Sequence, residues 1–435
     1  MHLAPTERQL RLRAELRAYF HDVMPDGPPP SADTAAQRAL LRRIGRDGML
    51  GLGWPQEYGG QGRGPDEQFV FFDEAYRAGA PVSMVTLNTV GPTLMKYGTE
   101  EQKAYFLPRI LRGETVFAIG YSEPEAGTDL ASLRTKAVRD GRDRRGGGDG
   151  RLAPIAQPEQ PAQPAQPEQP AQPAPDPPDP PDRAEGGGGS WLIDGQKIFT
   201  SNAQNADWIW LACRTDPEAP RHRGISILLV PTDAPGFSWT PIETVGGLTT
   251  TATYYDGIRV PAGNLVGEEN GGWGLITNQL NHERVALAAI GMQAEDFYAA
   301  ALRRAHTPDP VTGRRRIDEP WIRIRAAEAH ARLAATRLLN WRLVADVGAG
   351  RLAPGDASGV KFAGTESAVE VYRICQEIAG AAGLVRAGSR GEFDGGELER
   401  MNRAAQINTF GGGVSEVQRE IVATMRLGMK GRGRR

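Results

Sequence analysis

The stretch Val116-Phe-Ala-Ile-Gly-Tyr-Ser-Glu-Pro-Glu-Ala-Gly-Thr-Asp-Leu130 is where the chain changes character. Upstream of it, from Thr6 to about Gly113, apolar residues recur at helical spacing: Leu10, Leu12, Leu16 and Phe20, then Leu40, Leu41 and Ile44. Breakers at Gly27-Pro-Pro-Pro30, Gly51-Leu-Gly-Trp-Pro55 and Gly59-Gly60 divide this part into several helices. From Val116 onward the pattern becomes short β-branched and aromatic runs: Val116–Tyr121, Trp191–Ile193, Lys197–Thr200, Trp208–Ala212 and Ile225–Val230. After Gly271-Gly-Trp-Gly274 the helical period returns and holds to near Leu427. The expectation is an α+β chain with an N-terminal α-helical domain over 1–115, a compact β domain over 116–265 and a C-terminal helical bundle over 266–435.

A chain of 435 residues exceeds what one core usually organises, which agrees with two or three domains. The 33 Pro and 54 Gly are above ordinary usage, and one segment explains them. From about Gly141 to Gly189 the chain carries Gln-Pro-Glu-Gln-Pro-Ala repeats, a Pro-Asp-Pro-Pro-Asp run ending at Asp182, and Gly186–Gly189. Such a segment has little to bury and reads as a solvated, partly polyproline-II excursion. It interrupts a hairpin, because Thr135-Lys-Ala-Val-Arg139 before it and Trp191-Leu-Ile-Asp-Gly195 after it both read as strands. A long loop there costs little extra closure entropy, and docking of a partner on the proline-rich arm is the functional alternative.

Charge narrows the function classes. Lys plus Arg (51) and Asp plus Glu (53) give a formal net charge of −2, which argues against a nucleic-acid partner. Cys213 and Cys375 are far apart and lack metal-ligand spacing, so neither a disulfide framework nor a bound metal is expected. With no apolar segment near the N-terminus and no long apolar run, the reading is a cytoplasmic protein without a membrane span.

Three ordered motifs carry chemistry. In Tyr121-Ser-Glu-Pro-Glu-Ala-Gly-Thr-Asp-Leu130, the Pro and Gly break the strand and expose backbone N–H groups, while Ser122 and Thr128 add hydroxyls able to bond a ring edge or a phosphate. A capped turn is the plain structural alternative. The segment resembles the acyl-CoA dehydrogenase signature, and Ile193-Asp-Gly-Gln-Lys-Ile-Phe-Thr-Ser-Asn202 resembles that family's strand beside the isoalloxazine ring. Gln376-Glu-Ile-Ala-Gly-Ala-Ala-Gly383 is similar to its Gln-Ile-x-Gly-Gly-x-Gly run, and Val260-Pro-Ala-Gly-Asn-Leu-Val-Gly267 resembles the exit from the β domain.

The resemblance implies a small β-barrel in the middle, a four-helix bundle at the end, FAD as cofactor and an acyl-CoA as substrate. It further implies a homo- or hetero-tetramer reoxidised by an electron-transfer flavoprotein. Carried over residue by residue, Tyr121, Ser122 and Thr128 contact the flavin and acyl chain, Phe199 packs by the ring, and Ser201 bonds it. Gln376 and Gly380 lie against the ADP part of an FAD held largely by a neighbouring subunit.

The base is read from two places. On the helix after Gly274, Ile276, Leu280, Glu283, Leu287 and Ile290 are spaced to share one face. Glu283 thus falls on an apolar stripe, where desolvation favours the neutral carboxyl and suits a general base at neutral pH; a structural Glu paired with Arg is the alternative. Most family members carry the base in a loop near the C-terminus, which here reads Ile407-Asn-Thr-Phe-Gly-Gly-Gly-Val-Ser-Glu-Val-Gln-Arg419. Alignment on Ser415 and Gln418-Arg419 puts Gly412 where that Glu would stand, and a minority of the family takes its base from the earlier helix just before an Arg, as Glu283-Arg284 does. Arg284 would orient the base, and backbone N–H near Gly412 would hold the thioester carbonyl. Glu416 is the rival carboxylate, read as a first-turn residue favoured by the helix dipole.

One departure concerns the FAD pyrophosphate. The family's Arg-Phe-Gly element is missing, and Arg314–Arg316 are the cationic candidates in its place. A different subunit completing the site, a non-catalytic subunit, and a flavin oxidase or monooxygenase on the same fold all remain open.

Overall fold

The computed structural model describes residues 5–30, 32–140, 189–279 and 291–429. The expected proline-rich segment, Glu283 and Arg284 lie outside the described residues, apart from Gly189 at the segment's end.

The N-terminal part is helical, as the periodicity predicts. Helix α1 (Glu7–Val23) starts at a capping box in which the Thr6 hydroxyl accepts from Gln9 N–H and the Gln9 side chain accepts from Thr6 N–H. Its Leu12, Leu16 and Phe20 are buried, one turn apart on a single face. Helices α2 (Thr34–Arg46), α3 (Pro65–Arg77), α4 (Gly91–Tyr97) and α5 (Glu100–Leu111) follow. Phe69, Val70, Phe71, Phe72 and Ala75 of α3 are all buried, which makes that helix the centre of the first core.

The middle part is an eight-stranded sheet: β1 (Phe117–Gly120), β2 (Lys136–Arg139), β3 (Ser190–Lys197), β4 (Trp208–Arg214), β5 (Ile225–Pro231), β6 (Phe237–Glu243), β7 (Thr249–Pro261) and β8 (Leu265–Val266). The order is β6-β7-β3-β2-β4-β5-β8, with β1 parallel to β4. Strands β4 and β5 are buried along almost their whole length, so they read as continuous apolar runs rather than alternating ones. Strand β6 is an edge, which is where its Pro241 costs no ladder bond. The expected hairpin is present: Arg139 pairs with Trp191, and Asp140 N–H donates to Ser190 O at 2.8 Å, so the two strands meet at the ends that bracket the proline-rich segment. The run at Lys197–Thr200 is not a strand of its own. Lys197 ends β3, and the chain then turns.

A helical stretch opens at 272 and is described to 279. Beyond the break come α6 (Ala294–His306), α7 (Pro320–Gly348), α8 (Pro354–Ala379), α9 (Glu397–Ala404) and α10 (Ser415–Ile421). Their core is built on Ala301, Ile322, Ala329, Tyr372 and Ile378. Helix α3 joins the two helical parts. Phe69 meets Trp341 edge-on at 5.2 Å, and Arg77 pairs with Glu295 and Asp296 while donating to Met292 O. On the other side, the Gln102 amide donates to Gly263 O and Leu265 O, tying α5 to the sheet. Among the described residues no helix is long and apolar enough to cross a membrane.

Candidate functional site

Strand β1 delivers the first motif to the end of the sheet. Past Gly120 the chain leaves the ladder, and Glu123 and Ala126 close a tight turn through two backbone bonds of 2.8 and 3.1 Å. Tyr121 and Ser122 are half-buried, whereas Thr128, two residues past the turn, is exposed. The Tyr121 hydroxyl accepts from Trp210 Nε1 at 3.1 Å, so its single proton goes to Gln279 Oε1. That sequence of donors fixes the orientation of the Gln279 amide and leaves its buried Nε2 without a partner among the described residues. Gln279 is the last described residue before Glu283, four positions on.

The second motif is held against the first. Ile198 N–H donates to Ser122 O at 2.8 Å, and Lys197 Nζ donates to Tyr121 O at 3.0 Å. Phe199 then departs from the strand with φ 61°, in the left-handed region that a bulky residue rarely enters, and stands 61% exposed. Beside it Ser201 is exposed, its hydroxyl 3.2 Å from that of Thr250. A cavity of about 320 Å3 adjoins this turn, between Ser201, Asn202 and Asn205 on one side and Met84, Val85 and Phe117 on the other.

Beneath both segments lies a buried ion pair that sequence reading passed over. Lys197 Nζ donates to Glu123 Oε1 at 2.8 Å, and the carboxylate also accepts from Thr135 N–H and Arg134 N–H. Burial pushes Glu123 up, but the Lys197 charge and these donors outweigh it and hold the carboxyl below its ordinary range. Burial likewise lowers the Lys197 ammonium, with Glu123 opposing. The signal for the pair was available: two charged side chains inside otherwise apolar or turn-forming motifs.

Gln376 and Gly380 lie elsewhere, at the C-terminal end of α8. The Gln376 amide is buried and donates to Gly383 O at 3.1 Å, closing the turn on itself. Gly380 has φ 74° and ψ −154°, a combination that essentially only glycine adopts. Of the three candidate arginines, Arg315 pairs with Asp318, whereas Arg316 donates to Ile378 O at 2.8 Å and Glu377 O at 3.0 Å and lies against Gly380. The fold thus brings Arg316 to the glycine motif.

The C-terminal loop is built from backbone. Gly412 and Gly413 have φ 65° and 102°, and the buried Lys361 donates to Gly413 O at 2.6 Å. Glu416 is exposed in the first turn of α10, where a carboxylate favours the helix N-terminus. Among the described residues no cluster of His, Cys, Asp or Glu is arranged to hold a metal.

An exposed aromatic ring at a strained φ, flanked by hydroxyls, is a face that a flat conjugated cofactor would cover, so these residues fit a flavin. The acyl-CoA dehydrogenase N-terminal, middle and C-terminal domain models match residues 6–114, 181–256 and 270–426. Acyl-CoA dehydrogenase FadE26 of Mycobacterium tuberculosis is 44% identical over 99% of both chains. The solved Tcur3481-Tcur3483 steroid ACAD superposes with a TM-score of 0.83 at 47% identity, covering 99% of this chain and 100% of that one. The ChsE4-ChsE5 complex from Mycobacterium tuberculosis gives 0.81 at 44%, with the same coverage.

Proposed function

We propose, from the premise that the chain belongs to the acyl-CoA dehydrogenase family, that Glu283 is the base that removes the α proton of an acyl-CoA thioester. The family is FAD-dependent, and the chain is an oxidoreductase of that type. The observation that carries the assignment of the base is Gly412: its positive φ and lack of a side chain suit a loop that offers main-chain donors, not a carboxylate. Glu416 points from an exposed first turn, which leaves Glu283-Arg284 as the family's alternative placement.

When bound, FAD supplies the acceptor for the hydride that leaves the β carbon. Phe199 would pack on the ring while the Ser122 and Ser201 hydroxyls hold its edge, and Thr128 would reach the substrate side of the same turn. Arg316, with the Gln376–Gly380 turn, would carry phosphate. Glu283 takes the α proton, acidified by the adjacent thioester, as Arg284 orients it and N–H groups near Gly412 hold the carbonyl oxygen. Loss of both hydrogens together avoids a free carbanion.

Two relatives named above are a steroid ACAD and a two-component complex. By likeness to them, this chain would act on a bulky steroid-type acyl-CoA in a tetramer shared with a second, different subunit, and pass electrons to an electron-transfer flavoprotein. Anaerobic titration of the yellow protein with straight, branched and steroid-type acyl-CoAs tests the reaction. Bleaching by one thioester, lost in Glu283→Gln, is expected; bleaching that persists in the variant refutes Glu283. A fully flavinylated homotetramer from this chain alone refutes the shared assembly.

A further inference from the structure

We propose that Lys197 and Glu123 are a positioning pair: buried together, they set the register between the Tyr121–Ser122 segment and the Phe199–Ser201 turn, and so shape the face on which the flavin ring lies. The inference rests on the cofactor-facing reading of those two segments.

The contacts converge on the joint between the motifs. Lys197 Nζ reaches Glu123 Oε1 at 2.8 Å and Tyr121 O at 3.0 Å, so one ammonium bonds both the acid and the main chain of the first motif. Glu123 is anchored in turn by Thr135 N–H at 2.8 Å and Arg134 N–H at 2.7 Å, which fixes it to the two residues that lead into β2. The next residue along, Ile198, donates its N–H to Ser122 O. Segments distant in sequence are therefore locked to each other within two residues of Phe199.

Stability alone is a poor reason for this pair. Burying two charges costs desolvation that their attraction only partly returns, and an apolar pair of similar volume often serves as well or better. Register is a better reason. By strand alternation Phe199 would follow Lys197 to the buried face, yet at φ 61° it stands exposed. A residue turned against its strand keeps that conformation only where its surroundings over-determine it. Lys197, fully buried two residues earlier, is the anchor placed to do so.

The test uses the full chain as it assembles, deflavinated and titrated with FAD, with visible flavin bands and the melting of the FAD-free protein read alongside. Lys197→Met alone leaves a buried unpaired carboxylate, so Lys197→Met/Glu123→Gln is the informative variant. It is expected to fold, to bind FAD about tenfold more weakly, the worth of one lost hydrogen bond, and to shift the flavin bands. Unchanged affinity and bands in that variant overturn the inference. Should the double variant not fold, Glu123→Gln replaces it: shifted bands support the pair, and unshifted bands overturn it. Ser122→Ala and Ser201→Ala separate the two levels. If they alter FAD binding while the pair variant does not, only the positioning role falls; if they too change nothing, the cofactor-facing reading falls as well.

Discussion

Gly380→Ala isolates a single backbone position on which the C-terminal half of the proposed cofactor site depends. At φ 74° and ψ −154° the backbone lies where a Cβ is strained, a cost of about 1–3 kcal/mol. The added Cβ would also stand 3.1 Å from the Arg316 Cζ and Nη1 atoms, so the guanidinium must shift by a few tenths of an ångström, which weakens its bonds to Ile378 O and Glu377 O. Because Arg316 is exposed and its side chain is flexible, it can move, and the weakening of those bonds adds at most about 1 kcal/mol. The sum is about 1–4 kcal/mol, read as a lowered melting midpoint of the FAD-free protein, together with weaker FAD retention. A cycle with Arg316→Ala separates the contributions. The double variant should lose less than the two singles added, since removing the guanidinium relieves the contact but not the strain. Melting of Gly380→Ala within about 0.5 kcal/mol of the parent would refute both the backbone assignment and the steric argument.

Other perturbations test separate parts of the molecule. Phe199→Gly removes a strained φ from an exposed side chain, so the FAD-free protein should gain up to about 1 kcal/mol while FAD binding weakens; equal or tighter FAD binding counts against Phe199 as a ring contact. Glu123 is held below its ordinary value in the folded protein, so its contribution is present at neutral pH and disappears as pH falls through the depressed value. Glu123→Gln should therefore flatten the acid limb of stability against pH below about 4.3, and an unchanged limb speaks against the pair. Arg77 is nearly buried among Asp73, Glu295 and Asp296, and buried Asp73 keeps Arg13 as its other partner, so Arg77→Gln should cost about 1–3 kcal/mol, the worth of a buried charged hydrogen bond; a loss below about 0.5 kcal/mol in denaturant melts would show that α3 and α6 dock without it.

How far the sequence could be read depended on what each signal records. Periodicity reports burial of whole faces, which is why Leu12, Leu16 and Phe20 predicted α1 and the apolar run at 225–230 predicted β5. The hairpin across the proline-rich segment was legible because strands 136–139 and 190–197 carry their own patterns regardless of what lies between them. Local irregularity was not legible in the same way. Lys197–Thr200 looks like a strand by composition, yet a left-handed Phe199 ends it, and no propensity encodes a conformation imposed from below by a buried ion pair. Arg316 shows the same limit at longer range. Three adjacent arginines are equivalent in sequence, and only the fold of α7 against α8 distinguishes the one beside Gly380 from the one paired with Asp318.

The two kinds of signal meet at the C-terminal loop. In sequence, Gly411-Gly-Gly413 registers only as a missing carboxylate. In three dimensions the positive φ at Gly412 and Gly413, with Lys361 bonded to the second carbonyl, make the loop a main-chain element held from behind. A carboxylate restored at 412 would meet the strain of a left-handed backbone, so Gly412→Glu should not recover the activity lost in Glu283→Gln. Recovery of acyl-CoA turnover in Glu283→Gln/Gly412→Glu would mean that the loop can still seat a base and that the glycine reflects room for the substrate instead of a change in where the proton is taken.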